Sequence, residues 1–154
     1  MPVETPIADV AHVIQLSVAP VFLLTAVGSI LGVLSTRLGR IVDRSRVLLE
    51  RLEGLEGPRR AEMQEELDML FRRRHLVNVA IGCGVGAALL VAGVIVAAFV
   101  GFILGWRVSA PIAILFIGAM LFIVGALLVF LREVMLAALA VRRPTAARSP
   151  PQAR

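Results

Sequence analysis

Three apolar stretches alternate with arginine-rich polar ones along the chain. The first stretch, Leu16–Leu34, is followed without a break by STRLGRIVDRSR. Nineteen uncharged residues at 1.5 Å each span roughly 28 Å, about one hydrocarbon core. Arg37, Arg40 and Arg44 then recur every three or four positions. No turn signal separates the two parts, so one helix should leave a bilayer and continue into water. The other apolar blocks are Val79–Leu104 and Pro111–Leu131. Neither shows the period-two alternation that a transmembrane β-barrel needs. The fold class expected is all-α, an integral membrane protein with three spans at about 16–34, 77–104 and 111–131.

Between spans one and two, Leu38, Ile41, Ser45, Leu48, Leu52 and Leu55 follow heptad spacing. Gly54 and Gly57-Pro58 break the helix, and Pro58 suits the first turn of the next. Met63, Leu67, Leu70 and Phe71 share one face of that next helix. Residues 35–75 therefore read as an antiparallel helical hairpin, with Arg46 level with Glu66 and Arg44 level with Asp68. Exposed ion pairs contribute at most about 1 kcal/mol each, so the leucine seam should hold the hairpin. Thr5-Pro6 is a fitting helix start, and Pro20 should bend span one modestly. Gly105-Trp106 closes span two, and Ser109 precedes Pro111 as a cap for span three. Residues 1–143 form a single three-span domain; 144–154, with its prolines, reads as a disordered tail.

Composition supports this picture. The chain of 154 residues is 58% hydrophobic, against about 45–50% for a soluble domain. Its charge surplus is all arginine. Ten of the 16 arginines lie in Arg37–Arg74, five follow span three, and only Arg107 lies between spans two and three. The positive-inside rule places 35–75 and the C-terminus in the cytoplasm, and the N-terminus outside. A bacterial inner membrane is the expected location, with anionic lipid head groups on the cytoplasmic side as partners. The arginines flank spans and alternate with acids, so nucleic acid is not expected. Cys83 is the lone cysteine and can form no intramolecular disulfide. No cofactor or metal is expected. The N-terminus lacks a basic n-region, which argues against a cleaved signal peptide.

Small residues recur every fourth position: Gly28 with Gly32 in span one, then Gly93, Ala97 and Gly101 in span two. Such faces let helix backbones approach closely, within a protomer or between copies. No ionisable residue lies inside an apolar core, which disfavours proton relays and ion pumps. His12 and His75 fall on opposite membrane sides. No nucleophile–base pair, metal motif or phosphate loop is present, so an enzyme is not expected. The most specific polar feature is an arginine belt: Arg37, Arg40, Arg44, Arg72, Arg73 and Arg74, with Asp43 among them. It reads either as a lipid-facing anchor or as a fixed Arg–Asp network joining the helices. The leading expectation is a non-enzymatic membrane protein that assembles with itself or a partner, docking through the hairpin seam. A pore-forming homo-oligomer is the alternative, and an enzyme on lipid head groups a distant third.

Three pieces, His12–Arg46, Phe71–Ile81 and Leu121–Ala137, together with their spacing, resemble the bacterial integral-membrane family catalogued as domain of unknown function 2721. The resemblance covers roughly residues 8–140. Thr36 stands where members often carry Asn. It implies three spans, and no activity, cofactor or catalytic residue.

Overall fold

The computed structural model describes residues 6–52 and 56–141, with side chains described for 14–15, 17–52 and 56–138. It contains three helices: α1, Pro6–Leu52; α2, Pro58–Leu104; and α3, Ser109–Val141. Each is long and apolar enough to cross a membrane. At 47 residues each, α1 and α2 are about 70 Å long. That is more than twice a hydrocarbon core of about 30 Å.

The helix ends follow from local chemistry. Pro58 starts α2 behind Gly57, whose φ of 73° is open to glycine at little cost. The N–H of Arg60 donates to the Gly57 carbonyl. At the other end Gly105 adopts the left-handed conformation. The Trp106 N–H donates to Gly101 O and the Gly105 N–H to Phe102 O. This is a Schellman closure, which satisfies two carbonyls that the helix end leaves without partners. The connection to α3 is short, and Val108 folds back onto Gly101. Pro20 lies buried inside α1, which runs through it as one helix. Thr5, Leu55 and the tail from 142 onward lie outside the described residues.

Five of the six buried positions described on α1 repeat every seven residues, Pro20, Val27, Leu34, Ile41 and Leu48; the sixth, Ser45, lies between the last two. On α3 the buried positions are Ala119, Ala126 and Glu133, at the same interval. A seven-residue repeat keeps one seam facing a neighbour when helices wind left-handed around each other. α2 packs against both other helices, whereas α1 and α3 approach each other sparsely. Leu34, Ile41, Leu48, Leu67, Leu70, Val77 and Ala80 form one continuous core. Lipid tails are as apolar as leucine, so within a bilayer such packing is stabilised by close contact rather than by release from water.

Two expectations need correction. Phe71 is exposed, and the buried face of α2 runs through Leu67, Leu70 and Val77 instead. The register also differs: Arg44 reaches Glu66, not Asp68. The Arg44–Glu66 pair lies two residues from the register that a turn near Glu56 would give. The seam itself is consumed within the protomer, with Leu48 only 2% exposed. It is not free to receive a partner.

Candidate functional site

The three helices meet at one carboxylate. Glu133 continues the alanine seam of α3 and is fully buried. Arg37 of α1 donates from Nη1 to Glu133 Oε2 at 2.8 Å. Arg73 of α2 donates from Nη2 and Nε to Oε1, at 2.8 and 3.2 Å. A buried carboxylate is costly to leave unpaired, and its two arginine partners supply charge-assisted bonds. The Arg37 guanidinium also lies over the Phe130 ring, 5.0 Å from its centroid. Phe130 precedes Glu133 by almost one helical turn, so α3 offers Arg37 a carboxylate and an aromatic face together. No buried side-chain nitrogen or oxygen among the described residues is left without a partner.

The junction continues into a cavity between α1 and α2, lined by Arg37, Arg40, Ile41, Arg44, Leu70 and Arg73, with a volume of about 270 Å³. Arg37, Arg40 and Arg44 reach it because their three- and four-residue spacing puts them on one flank of α1. Arg44 donates from Nη2 and Nε to Glu66 Oε1, at 2.7 and 3.1 Å. Arg40 is exposed and forms no ion pair among the described residues. Asp43 is exposed and likewise has no arginine partner among them. Among the described residues, Arg37, Arg44 and Arg73 reach Glu133 and Glu66 rather than Asp43. Arg72 and Arg74 point outward on either side of Arg73, exposed and without ion pairs among the described residues.

The glycines divide into two groups. A Cβ on Gly84 would lie 2.8 Å from Leu31, and one on Gly86 2.7 Å from Phe122. Gly101 is covered by Val108, and Gly93 faces Leu115 at an ordinary contact distance. Ala97 beside them is half-buried. Gly28, Gly32 and Gly39 instead face open space. Thr25, Ser29 and Thr36 lie among them on the exposed back of α1. Each donates its hydroxyl to the carbonyl four residues earlier, on Val21, Thr25 and Gly32 respectively. His75 is exposed, and Cys83 is half-buried with a free thiol. No group of metal-ligating side chains occurs among the described residues.

Glu133, the shared acceptor, is not among the residues that the sequence pattern singles out. The signal was present: Glu133 is the only acidic residue after Asp68. It also falls on the seven-residue repeat of Ala119 and Ala126.

A family profile described as "Protein of unknown function (DUF2721)" matches residues 17–143. The chain belongs to this family. The matched region runs from the start of the first apolar stretch to just past the end of α3, so it contains all three members of the Arg37–Glu133–Arg73 junction. No curated protein and no solved structure matches the chain.

Proposed function

We propose that this DUF2721 protein is a non-enzymatic component of a bacterial inner membrane that assembles with copies of itself. Its arginine-rich end lies in the cytoplasm, its N-terminus outside, and its basic belt contacts anionic head groups. The observation that carries assembly is the back of α1. Gly28, Gly32 and Gly39 face open space there, at the spacing that lets two helix backbones approach. The hydroxyls between them are already bonded to their own helix, so a close neighbour would strand no donor. Gly82 on α2 and Gly125 on α3 are also open, but bulky side chains such as Ile103 and Leu121 dominate the outer surface of those helices and suit lipid tails. The enzymatic alternative has little to build on: the polar groups at the junction are two arginines and the one carboxylate they share, with no nucleophile or free base beside them.

The test is the mass of the native complex extracted in mild detergent. The wild-type chain should run as an oligomer, and Gly28→Leu with Gly32→Leu should shift it to the monomer without unfolding it. A wild-type monomer, or an unchanged oligomer in the double variant, overturns the proposal. Orientation has its own test. In a Cys83→Ala background, Arg107→Cys should react with an impermeant thiol reagent added outside, since Arg107 is exposed in the α2–α3 connection. Reaction only after permeabilisation would invert the topology.

A further inference from the structure

We propose that the cavity between Arg37, Arg40, Arg44 and Arg73 binds one phosphate group, carried by an anionic phospholipid at the bilayer edge. The proposal rests on the lipid-facing belt inferred above and narrows it to a single built pocket. Four arginines line the cavity, and two carboxylates, Glu133 and Glu66, pair with three of them. The cluster therefore keeps two positive charges in excess. Like charges held together favour an anion between them, and the guanidinium fork matches phosphate oxygens geometrically.

The donors are also distributed for a ligand. Arg73 and Arg44 each commit Nε and Nη2 to a carboxylate, leaving Nη1. Arg37 commits Nη1. Arg40 commits nothing to an ion pair among the described residues. A charged stop signal needs no cavity and no fixed rotamers. Here Glu133 and Glu66 hold three of the four arginines in place beforehand, which lowers the ordering cost of binding. Ile41 and Leu70 line the same space and are 5% and 8% exposed. Apolar side chains among the basic ones fit a head group whose glycerol carbons follow its phosphate. Free phosphate shares the anionic chemistry but gains nothing from them.

The decisive variant is Arg40→Gln, because it breaks no ion pair among the described residues and should leave the fold intact. The control is Arg46→Gln, an exposed arginine that the helical period places on the far side of α1 from the cavity. Full-length protein is purified in detergent, stripped of lipid and titrated with phosphatidylglycerol, with phosphatidylcholine as the neutral comparison. Bound lipid is read by native mass spectrometry. Wild type and Arg46→Gln should retain phosphatidylglycerol in preference to phosphatidylcholine. Arg40→Gln should bind it about tenfold more weakly, the consequence of losing one charge-assisted contact. Arg40→Lys should fall between, keeping the charge but not the fork.

A parallel titration with inorganic phosphate separates the sources. Failure of phosphate to displace the lipid supports the phospholipid assignment. Displacement, together with phosphate binding that Arg40→Gln abolishes, keeps the pocket but overturns the lipid as its ligand. Equal losses in Arg40→Gln and Arg46→Gln overturn the pocket and leave a diffuse belt. No preference for phosphatidylglycerol in wild type overturns both.

Discussion

α2 is packed on two sides and α1 on one. Both are 47-residue helices, and both carry glycines at four-residue intervals. On α2 three glycines are sites of close approach, Gly84 to Leu31, Gly86 to Phe122 and Gly101 to Val108, while Gly82 meets nothing within 4 Å. On α1 the same spacing at Gly28 and Gly32 meets nothing within the protomer. The difference lies in angle around the helix. The α1 glycines fall opposite the seam of Val27, Leu34 and Ile41, whereas Gly84 falls on the seam of α2 with Val77 and Val91. Spacing alone identifies a smooth face; only the position of the buried repeat tells what that face meets. α1 is thus fixed to the bundle by its seam, by the Arg44–Glu66 pair to α2 and by one ion pair to α3, with its back left over for something else.

The largest effect is expected where α2 contributes to the carboxylate junction. Arg73→Ala leaves buried Glu133 with a single partner, and removing one member of a buried pair costs about 3–5 kcal/mol. Arg37→Ala should cost less, about 1.5–3 kcal/mol, because Arg37 supplies one bond where Arg73 supplies two. Arg37 is also the more exposed, 38% against 24%. Thermal unfolding midpoints of the two variants in the same detergent would rank them. A lower midpoint for Arg37→Ala would reverse the asymmetry between α1 and α2.

Next come the glycines. Gly86→Leu drives a side chain into Phe122 and should destabilise the protomer by about 1–3 kcal/mol, the usual cost of overpacking. Gly32→Leu should leave the stability of the isolated protomer within about 0.5 kcal/mol, as for a surface substitution. Denaturation in a detergent that keeps the chain monomeric compares them directly. Equal destabilisation would mean that the back of α1 is not open.

Much of the fold was legible because it depends on length, hydropathy and turn residues. The three apolar blocks, the Gly57-Pro58 start of α2 and the Gly105 stop each carry a local signal. The exposed Phe71 was not legible, since a residue next to Leu70 sits on the buried or the outer face according to a rotation that only the partner helix sets. The junction was half legible. Arg37 and Arg73 stood out by charge, and the nearby acid drew attention to Asp43. Asp43 shares the stretch of Arg37, but the helical period turns it toward the exposed back of α1. Glu133 is distant in sequence and arrives only because α3 returns to the same end of the bundle. Its seven-residue relation to Ala119 and Ala126 was the available clue, and it requires the α3 seam to be known first.

The smallest effect separates the two arginines by chemistry rather than by charge. Arg73 directs two N–H groups at Glu133 Oε1, and a lysine in its place offers one compact ammonium without the planar fork. Arg73→Lys should therefore lose about 1 kcal/mol or more, a neutral estimate for one missing hydrogen bond. Arg37 donates a single N–H to Oε2, which a lysine ammonium can replace. What Arg37→Lys forfeits is the flat contact of the guanidinium with Phe130, where an ammonium still gains part of the cation–π attraction. At a half-exposed ring that attraction is about 0.5–1 kcal/mol in total, so the net loss should be smaller still. The Phe130→Leu variant isolates it: with the ring gone, Arg37→Lys should become silent. Thermal midpoints across the four combinations at positions 37 and 130 form a double-mutant cycle whose coupling term reads the ring contact alone. A coupling of zero would assign the whole role of Arg37 to its bond with Glu133. A large effect of Arg37→Lys that persists without the ring would mean that α1 is held to α3 by more than one N–H, and that its two faces are less unequal than the packing suggests.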